Sequence, residues 1–185
     1  YQDSSFRQLT GKAEYIDDIP LAENALHGAL ILSTIPSGKI VSIDTKRAKD
    51  IDPSITIILA KDIPGKNDIA PIFEDEPIFA EKTVTYVGQP IGLIVSSSME
   101  KARAAAKEVE VVYKKNKGPI LDLESAFKKK SFFLKPIHFE RGKAIEEIKS
   151  APHKLEGSFS MGGQDHFYLE THIALAIPHE NSEFT

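Results

Sequence analysis

A mixed α/β (α+β) fold is predicted by three features of this sequence. Short β-branched runs recur between residues 27 and 113, one well-marked helix sits among them, and that helix passes into a further strand almost without a turn. The length of 185 residues suits one ordinary domain or two small ones, at roughly 100–200 residues each. A chain of this size buries about 70% of the surface its unfolded form exposes, so a core needs neither disulfides nor metal.

Taken in order, residues 1–12 lack periodicity and end in Thr10-Gly11, which reads as a linker or extended arm. Residues 27–33 (HGALILS) and 39–44 (KIVSID) are apolar runs separated by Thr34, Pro36, Ser37 and Gly38, and a hairpin is the simplest pairing. Asp44 is a candidate N-cap for a short helix over 45–50, which Pro53 ends, and 55–60 (ITIILA) is a third strand. Residues 61–81 hold three prolines and Glu74-Asp75-Glu76, the composition of an irregular surface excursion. Strand segments follow at 83–87 and 91–96, broken by Gly88-Gln89-Pro90. Ser97 and Glu100 suggest a capping box for the clearest helix, whose apolar face carries Met99, Ala102, Ala106 and Val109. The period then changes to two at Val109, Val111 and Tyr113, another strand. Asp122 caps a helix over 123–127, and the link at 128–133 marks a domain boundary. Beyond it a short helix is expected over 142–150 and a half-buried strand over 153–161, where Leu155, Gly157, Phe159 and Met161 alternate with polar residues.

Charge and composition narrow the function classes. With 23 Lys+Arg against 27 Asp+Glu and basic residues scattered, no nucleic-acid footprint is present. The absence of cysteine excludes a disulfide framework, a thiolate zinc site, an iron–sulfur cluster and a cysteine nucleophile within these residues. Apolar runs such as 91–95 and 173–177 fall far short of the roughly 20 residues that span a bilayer, so a soluble chain is expected. Polar residues open the chain without a methionine or an apolar stretch, and residues 178–185 read as a turn whose returning strand is missing. Both ends suggest a cut from something longer.

The richest stretch for chemistry is 161–172, MGGQDHFYLETH. In extended form it sets Gln164, His166, Tyr168, Glu170 and His172 on one face and Asp165, Phe167, Leu169, Thr171 and the following Ile173 on the other. A metal hydrolase built on His166, Glu170 and His172 is conceivable, but the spacing matches no known zinc motif, and satisfied histidines are several times commoner. Gly162 and Gly163 permit positive φ and close approach of backbone to a ligand, while Gln164 supplies an uncharged acceptor and two donors, a set suited to an oxo or phosphate group. A strand-end bulge with a surface glutamine is the competing reading, favoured by spacing alone at about two to one. Glu74-Asp75-Glu76 more often solvates a loop than binds a cation, and His27 is more often an edge or core histidine than a catalyst. No dinucleotide fingerprint, phosphate loop or nucleophile elbow occurs.

Read together, TGKAEYIDDIP (10–20), KIVSID (39–44), DIPG (62–65), Asp75-Glu76, Val87-Gly88-Gln89 and GGQDHFYLET (162–171) resemble, in order, the landmarks of the molybdenum hydroxylases. That is the family of xanthine dehydrogenase and aldehyde oxidase. One departure is Pro36-Ser37-Gly38 before Lys39, where the family usually carries alanine–histidine–alanine.

The resemblance implies a division into an arm (1–12), an α/β hammerhead domain (13–118), a connecting segment (119–140) and the truncated start of a molybdopterin-binding domain (141–185). It implies a molybdopterin cofactor, with FAD and 2Fe–2S clusters on earlier domains, which accounts for the missing cysteines. Gln164 then stands beside the molybdenum and donates a hydrogen bond to an oxo ligand, with Gly162 and Gly163 shaping its approach. The family's base glutamate and its substrate-binding glutamate and arginine lie beyond Thr185, so no catalytic residue falls in this segment and Glu170 takes none of those roles. Expected for the parent enzyme are oxidation of hypoxanthine and xanthine to urate, or of aldehydes and N-heterocycles in the alternative, NAD or oxygen as acceptor, and a homodimer in the cytoplasm or peroxisome. No nucleic-acid or membrane partner is expected. A third reading is a non-catalytic α/β scaffold or binding module.

Overall fold

The β-branched runs and the alanine-rich segment fold largely where their patterns put them. A computed structural model describes residues 4–72, 74–116, 118–168 and 170–185. In chain order the elements are α1 (Ser5–Leu9), β1 (His27–Leu32), β2 (Gly38–Asp44), α2 (Lys46–Ile51), β3 (Thr56–Leu59), β4 (Thr83–Val84), β5 (Pro90–Ser96), α3 (Met99–Lys107), β6 (Glu110–Lys115), α4 (Leu123–Lys128) and α5 (Ala144–Ser150). The chain divides into two units, one of residues 22–133 and one of residues 1–21 with 134–185.

The 22–133 unit holds two three-stranded antiparallel sheets, ordered β1-β5-β3 and β4-β2-β6. The hairpin expected between β1 and β2 does not form. β1 pairs with β5 through the register His27 to Ser96, whereas β2 pairs with β4 and β6. The reason lies in residues 33–37: Ser33 exchanges backbone hydrogen bonds with the β4–β5 connection, Ser33 N–H to the Gln89 carbonyl (2.9 Å) and Gly88 N–H to the Ser33 carbonyl (2.8 Å). Ile35 then turns into the core, and the chain crosses from one sheet to the other. The strand–helix–strand run is present, with β5 and β6 in different sheets.

β5 is central: Gly92, Ile94 and Ser96 are buried in alternation, and a register shift opposite Ile31 and Leu32 brings Ile91 inside as well. Ile91 and Ile94 are fully buried, joined by Ile31, Val84 and Ile55, each such side chain contributing about 1.5–3 kcal/mol on leaving water. α3 lies across β1 and β5 with Ala102 and Ala105 fully buried, small enough to bring the helix close to the sheet. At Gly92 a side chain has no room, since a Cβ there lies 2.7 Å from the Ile58 carbonyl oxygen and 2.6 Å from Leu59 Cδ2.

Polar side chains fix the connections. Gln89, buried beneath the β4–β5 crossing, accepts the Thr85 N–H at 2.7 Å, and Gly88 takes a φ of 85° that favours glycine. Asp52 is buried after α2. It accepts both the Ser54 N–H (2.9 Å) and the Ser54 hydroxyl (2.6 Å) and faces Lys101 Nζ at 3.3 Å, so its carboxyl is held at about 2. In the 61–81 excursion the Asn67 amide donates to the Phe79 carbonyl (2.8 Å) and accepts its N–H (3.0 Å). Two caps begin one residue from their expected place. Thr45 rather than Asp44 is the N-cap of α2, although Asp44 still accepts the Lys46 N–H. Ser98 rather than Ser97 caps α3, accepting from Lys101, because Ser96 remains buried in the sheet. Asp122 caps α4 as expected, and the Ser125 N–H at 2.7 Å lowers its carboxyl pKa.

The second unit is irregular. The arm carries the short helix α1, and α5 lies over its expected residues. No strand forms over 153–161, and Leu155, Phe159 and Met161 are exposed. Alternation alone cannot make a strand where no neighbouring strand takes up its N–H and C=O groups. The turn at the end of the chain does have its return: Ile177 and Thr185 exchange backbone hydrogen bonds (2.8 and 3.0 Å), through left-handed Asn181 and Ser182.

Candidate functional site

The described residues of 161–172 follow an irregular path, so the expected pair of strand faces is not realised. Phe167 adopts φ of 50°, which breaks the period-two alternation, and Leu169 lies outside the described residues. Gly162, Gly163, Gln164 and His166 are exposed. Neither glycine uses positive φ, and a Cβ on either meets nothing within 4 Å. Tyr168 Oη and His172 Nε2 hydrogen-bond at 2.6 Å with their rings edge-on, 5.5 Å apart. Glu170 turns elsewhere and accepts the backbone N–H of Ile16 at 2.8 Å.

The three side chains of a metal hydrolase are therefore not assembled, since Glu170 and His172 are each engaged with a different partner. Among the described residues no group of His, Asp and Glu side chains is placed to hold a metal ion. Glu74 pairs with Lys66, and the Glu76 carbonyl accepts the Ile69 N–H, the contacts of a solvated loop. His27 stands half-buried on β1, at an edge of its sheet. What the 162–164 stretch offers is an uncharged amide on an unhindered backbone. That donor set fits a hydrogen bond to an oxo group of a cofactor and does not amount to a cradle that could hold one. Sequence reasoning overlooked the Glu170–Ile16 bond, which spans 154 positions and has no local signature. It also overlooked Asp52, for which Asp52-Pro53-Ser54 was a legible turn motif.

Residues 10–117 match the family model described as aldehyde oxidase and xanthine dehydrogenase, a/b hammerhead domain. The chain belongs to this family. Residues 124–185 match a second model, the molybdopterin cofactor-binding domain. The chain is 42% identical over 176 residues to the xanthine dehydrogenase/oxidase of Gallus gallus, covering 95% of this chain and 13% of that protein. It is likewise 42% identical over 175 residues to xanthine dehydrogenase 1 of Arabidopsis thaliana, 93% of this chain and 13% of the relative. The chain thus spans about an eighth of the length of these curated relatives.

Among solved structures it is similar to the aldehyde oxidoreductase of Desulfovibrio gigas, at a TM-score of 0.56 and 28% identity over 62% of this chain and 14% of that one. Quinoline 2-oxidoreductase from Pseudomonas putida 86 gives a TM-score of 0.58 at 27% identity, over 68% and 17%. The mixed α/β hammerhead fold and the family resemblance both hold. No helix among the described residues is long and apolar enough to cross a membrane.

Proposed function

We propose that this chain is the hammerhead domain and the beginning of the molybdopterin-binding domain of a xanthine dehydrogenase-like enzyme, which oxidises hypoxanthine and xanthine to urate. The observation that carries the reading is identity of 36–42% over more than nine-tenths of the chain to proteins named xanthine dehydrogenase. The domain division is 13–118 for the hammerhead, 119–140 for the connection and 141–185 for the start of the molybdopterin-binding part, after an arm of 1–12. When bound, the molybdenum cofactor supplies the hydroxylation chemistry, and electrons leave through 2Fe–2S clusters and FAD on other domains to NAD or oxygen. The chain's own share is structural. It braces the neighbouring flavin and molybdenum domains, and Gln164 donates one uncharged hydrogen bond beside the cofactor while Gly162 and Gly163 keep its approach clear. By itself the segment is inactive. The parent works as a homodimer in the cytoplasm or the peroxisome.

Urate formation from xanthine by the full-length product, with NAD and then oxygen as acceptor, tests substrate and acceptor together. Gln164→Ala in that enzyme is expected to slow xanthine turnover by about 10²- to 10³-fold, the usual effect of losing one preorganised donor, with flavin and clusters still bound. Unchanged kinetics remove Gln164 from the site. The second reading, an aldehyde or N-heterocycle hydroxylase, draws on the similarity to the Desulfovibrio and Pseudomonas structures. It replaces the first if the enzyme turns over aldehydes or quinoline and leaves xanthine untouched.

A further inference from the structure

The only hydrogen bond that leaves the 161–172 segment, among the described residues, runs from the Ile16 N–H to Glu170 Oε1 at 2.8 Å. Both residues are half-buried, whereas 161–168 are exposed. The receiving turn is closed by hydrogen bonds of its own. Asp18 N–H donates to the Tyr15 carbonyl (2.9 Å), and Asp18 Oδ2 accepts the Tyr15 N–H (2.9 Å). Ile16, first residue of this 3₁₀ turn, is left with an N–H that no intrahelical carbonyl can reach, and the Glu170 carboxylate takes it. A bond from backbone N–H to carboxylate is stronger than a neutral one. It joins two stretches far apart in sequence, the turn at 15–18 and the stretch that carries Gln164.

We propose that Glu170 is a positioning residue: it anchors the Gly162-Gly163-Gln164 segment on the 15–18 turn and so sets where the Gln164 amide lies. The inference rests on the reading that Gln164 serves the cofactor site of a molybdenum hydroxylase. Glu170 acts here only as a hydrogen-bond acceptor. A glutamine in its place keeps a carbonyl oxygen and should preserve the anchor, whereas an alanine removes it. The donor can be removed independently. Ile16→Pro deletes the N–H at a first-turn position where proline is tolerated, after a Tyr15 whose φ of −105° and ψ of 168° already suit a residue preceding proline.

The test uses the full-length enzyme and its variants Glu170→Ala, Glu170→Gln, Ile16→Pro and the Glu170→Ala/Ile16→Pro double. Hydrogen exchange is read on peptides covering 13–20 and 160–172, alongside kcat and KM for xanthine. Glu170→Ala and Ile16→Pro are each expected to speed exchange in both peptides by about tenfold and to lower kcat more than they raise KM. The double should be no worse than the poorer single, because both variants delete one bond. Glu170→Gln should restore most of the protection and the rate. Unchanged exchange in Glu170→Ala, additive losses in the double, or a glutamine variant as damaged as the alanine overturns the proposal. If Glu170→Ala does not fold, the other two decide: a near-normal glutamine variant with an impaired proline variant supports the anchor, and an unimpaired proline variant refutes it. Exchange is measured without substrate. A wild type that makes no urate yet gives this exchange pattern refutes the xanthine reading alone, whereas urate formation with no change in exchange refutes the anchor alone.

Discussion

Residues 22–133 and 134–185 are similarly supplied with apolar side chains and use them in opposite ways. In the first, Ile91 and Ile94 are fully buried and Val84 is 1% exposed; in the second, Ile137, Phe139, Phe159 and Phe167 are about nine-tenths exposed and Leu155 wholly so. The difference is one of partners. β5 lies between β1 and β3 with α3 across it, so its apolar side chains have surfaces to meet. Leu155, Phe159 and Met161 alternate with polar residues in the sequence, but among the described residues no strand runs beside them. Alternation marks which face a strand would bury and says nothing about whether something is there to bury it against.

The largest effect that tests this contrast comes from truncating one side chain in each region. Ile94→Ala is expected to destabilise the chain by about 2–5 kcal/mol, because a fully buried branched side chain leaves a cavity. Leu155→Ala should change stability by no more than about 0.5 kcal/mol, as for exposed positions in general. Urea unfolding of the two variants measures both, and comparable losses would mean that the 134–185 region packs a core after all.

Gly92→Ala follows in size, at about 1–3 kcal/mol for forced overpacking. The new methyl would meet the Ile58 carbonyl, a backbone atom that cannot swing aside. The β3–β5 pairing must open, and faster amide exchange at Ile58 would report it.

These two positions also indicate what the sequence could disclose. Apolar, β-branched runs identified β1, β2, β3 and β5, and the periods of 3.6 and two identified α3 and β6, because each element here has a partner that realises its pattern. Which strands pair was not legible: Ser33 and Gln89 meet across 56 positions, and that meeting sends β1 and β2 into separate sheets. At the candidate site Gly162, Gly163 and Gln164 were legible as a motif through family resemblance. The Glu170–Ile16 bond was not, since a backbone donor carries no side-chain signature.

Asp52 makes the packed unit sensitive to acid. Hydrogen bonds from Ser54, and then Lys101, hold its carboxyl at about 2 against an ordinary 3.8, so the folded state favours the ionised form. That contribution is complete above the ordinary value and is lost as pH falls from there toward about 2. Asp52→Asn should therefore be less stable than wild type near neutrality, with the gap narrowing through this window. Denaturant midpoints across the acid limb measure it, and a gap that stays constant with pH would remove the carboxylate from the account.

The smallest effect on stability is expected at Gly162 and Gly163, and it sharpens the contrast most. Gly92 is glycine because a neighbouring backbone forbids a side chain; around Gly162 and Gly163 a Cβ meets open space, and neither residue uses a left-handed conformation. Nothing in the fold of this chain asks for glycine there. Gly162→Ala and Gly163→Ala should shift stability by less than about 0.5 kcal/mol. If the pair serves close approach to a cofactor in the parent enzyme, as proposed, the same variants should lower xanthine turnover and molybdenum content while the melting temperature stays put. Variants that melt early would show that the fold itself requires glycine here, and variants normal in every respect would leave the pair with no part in binding.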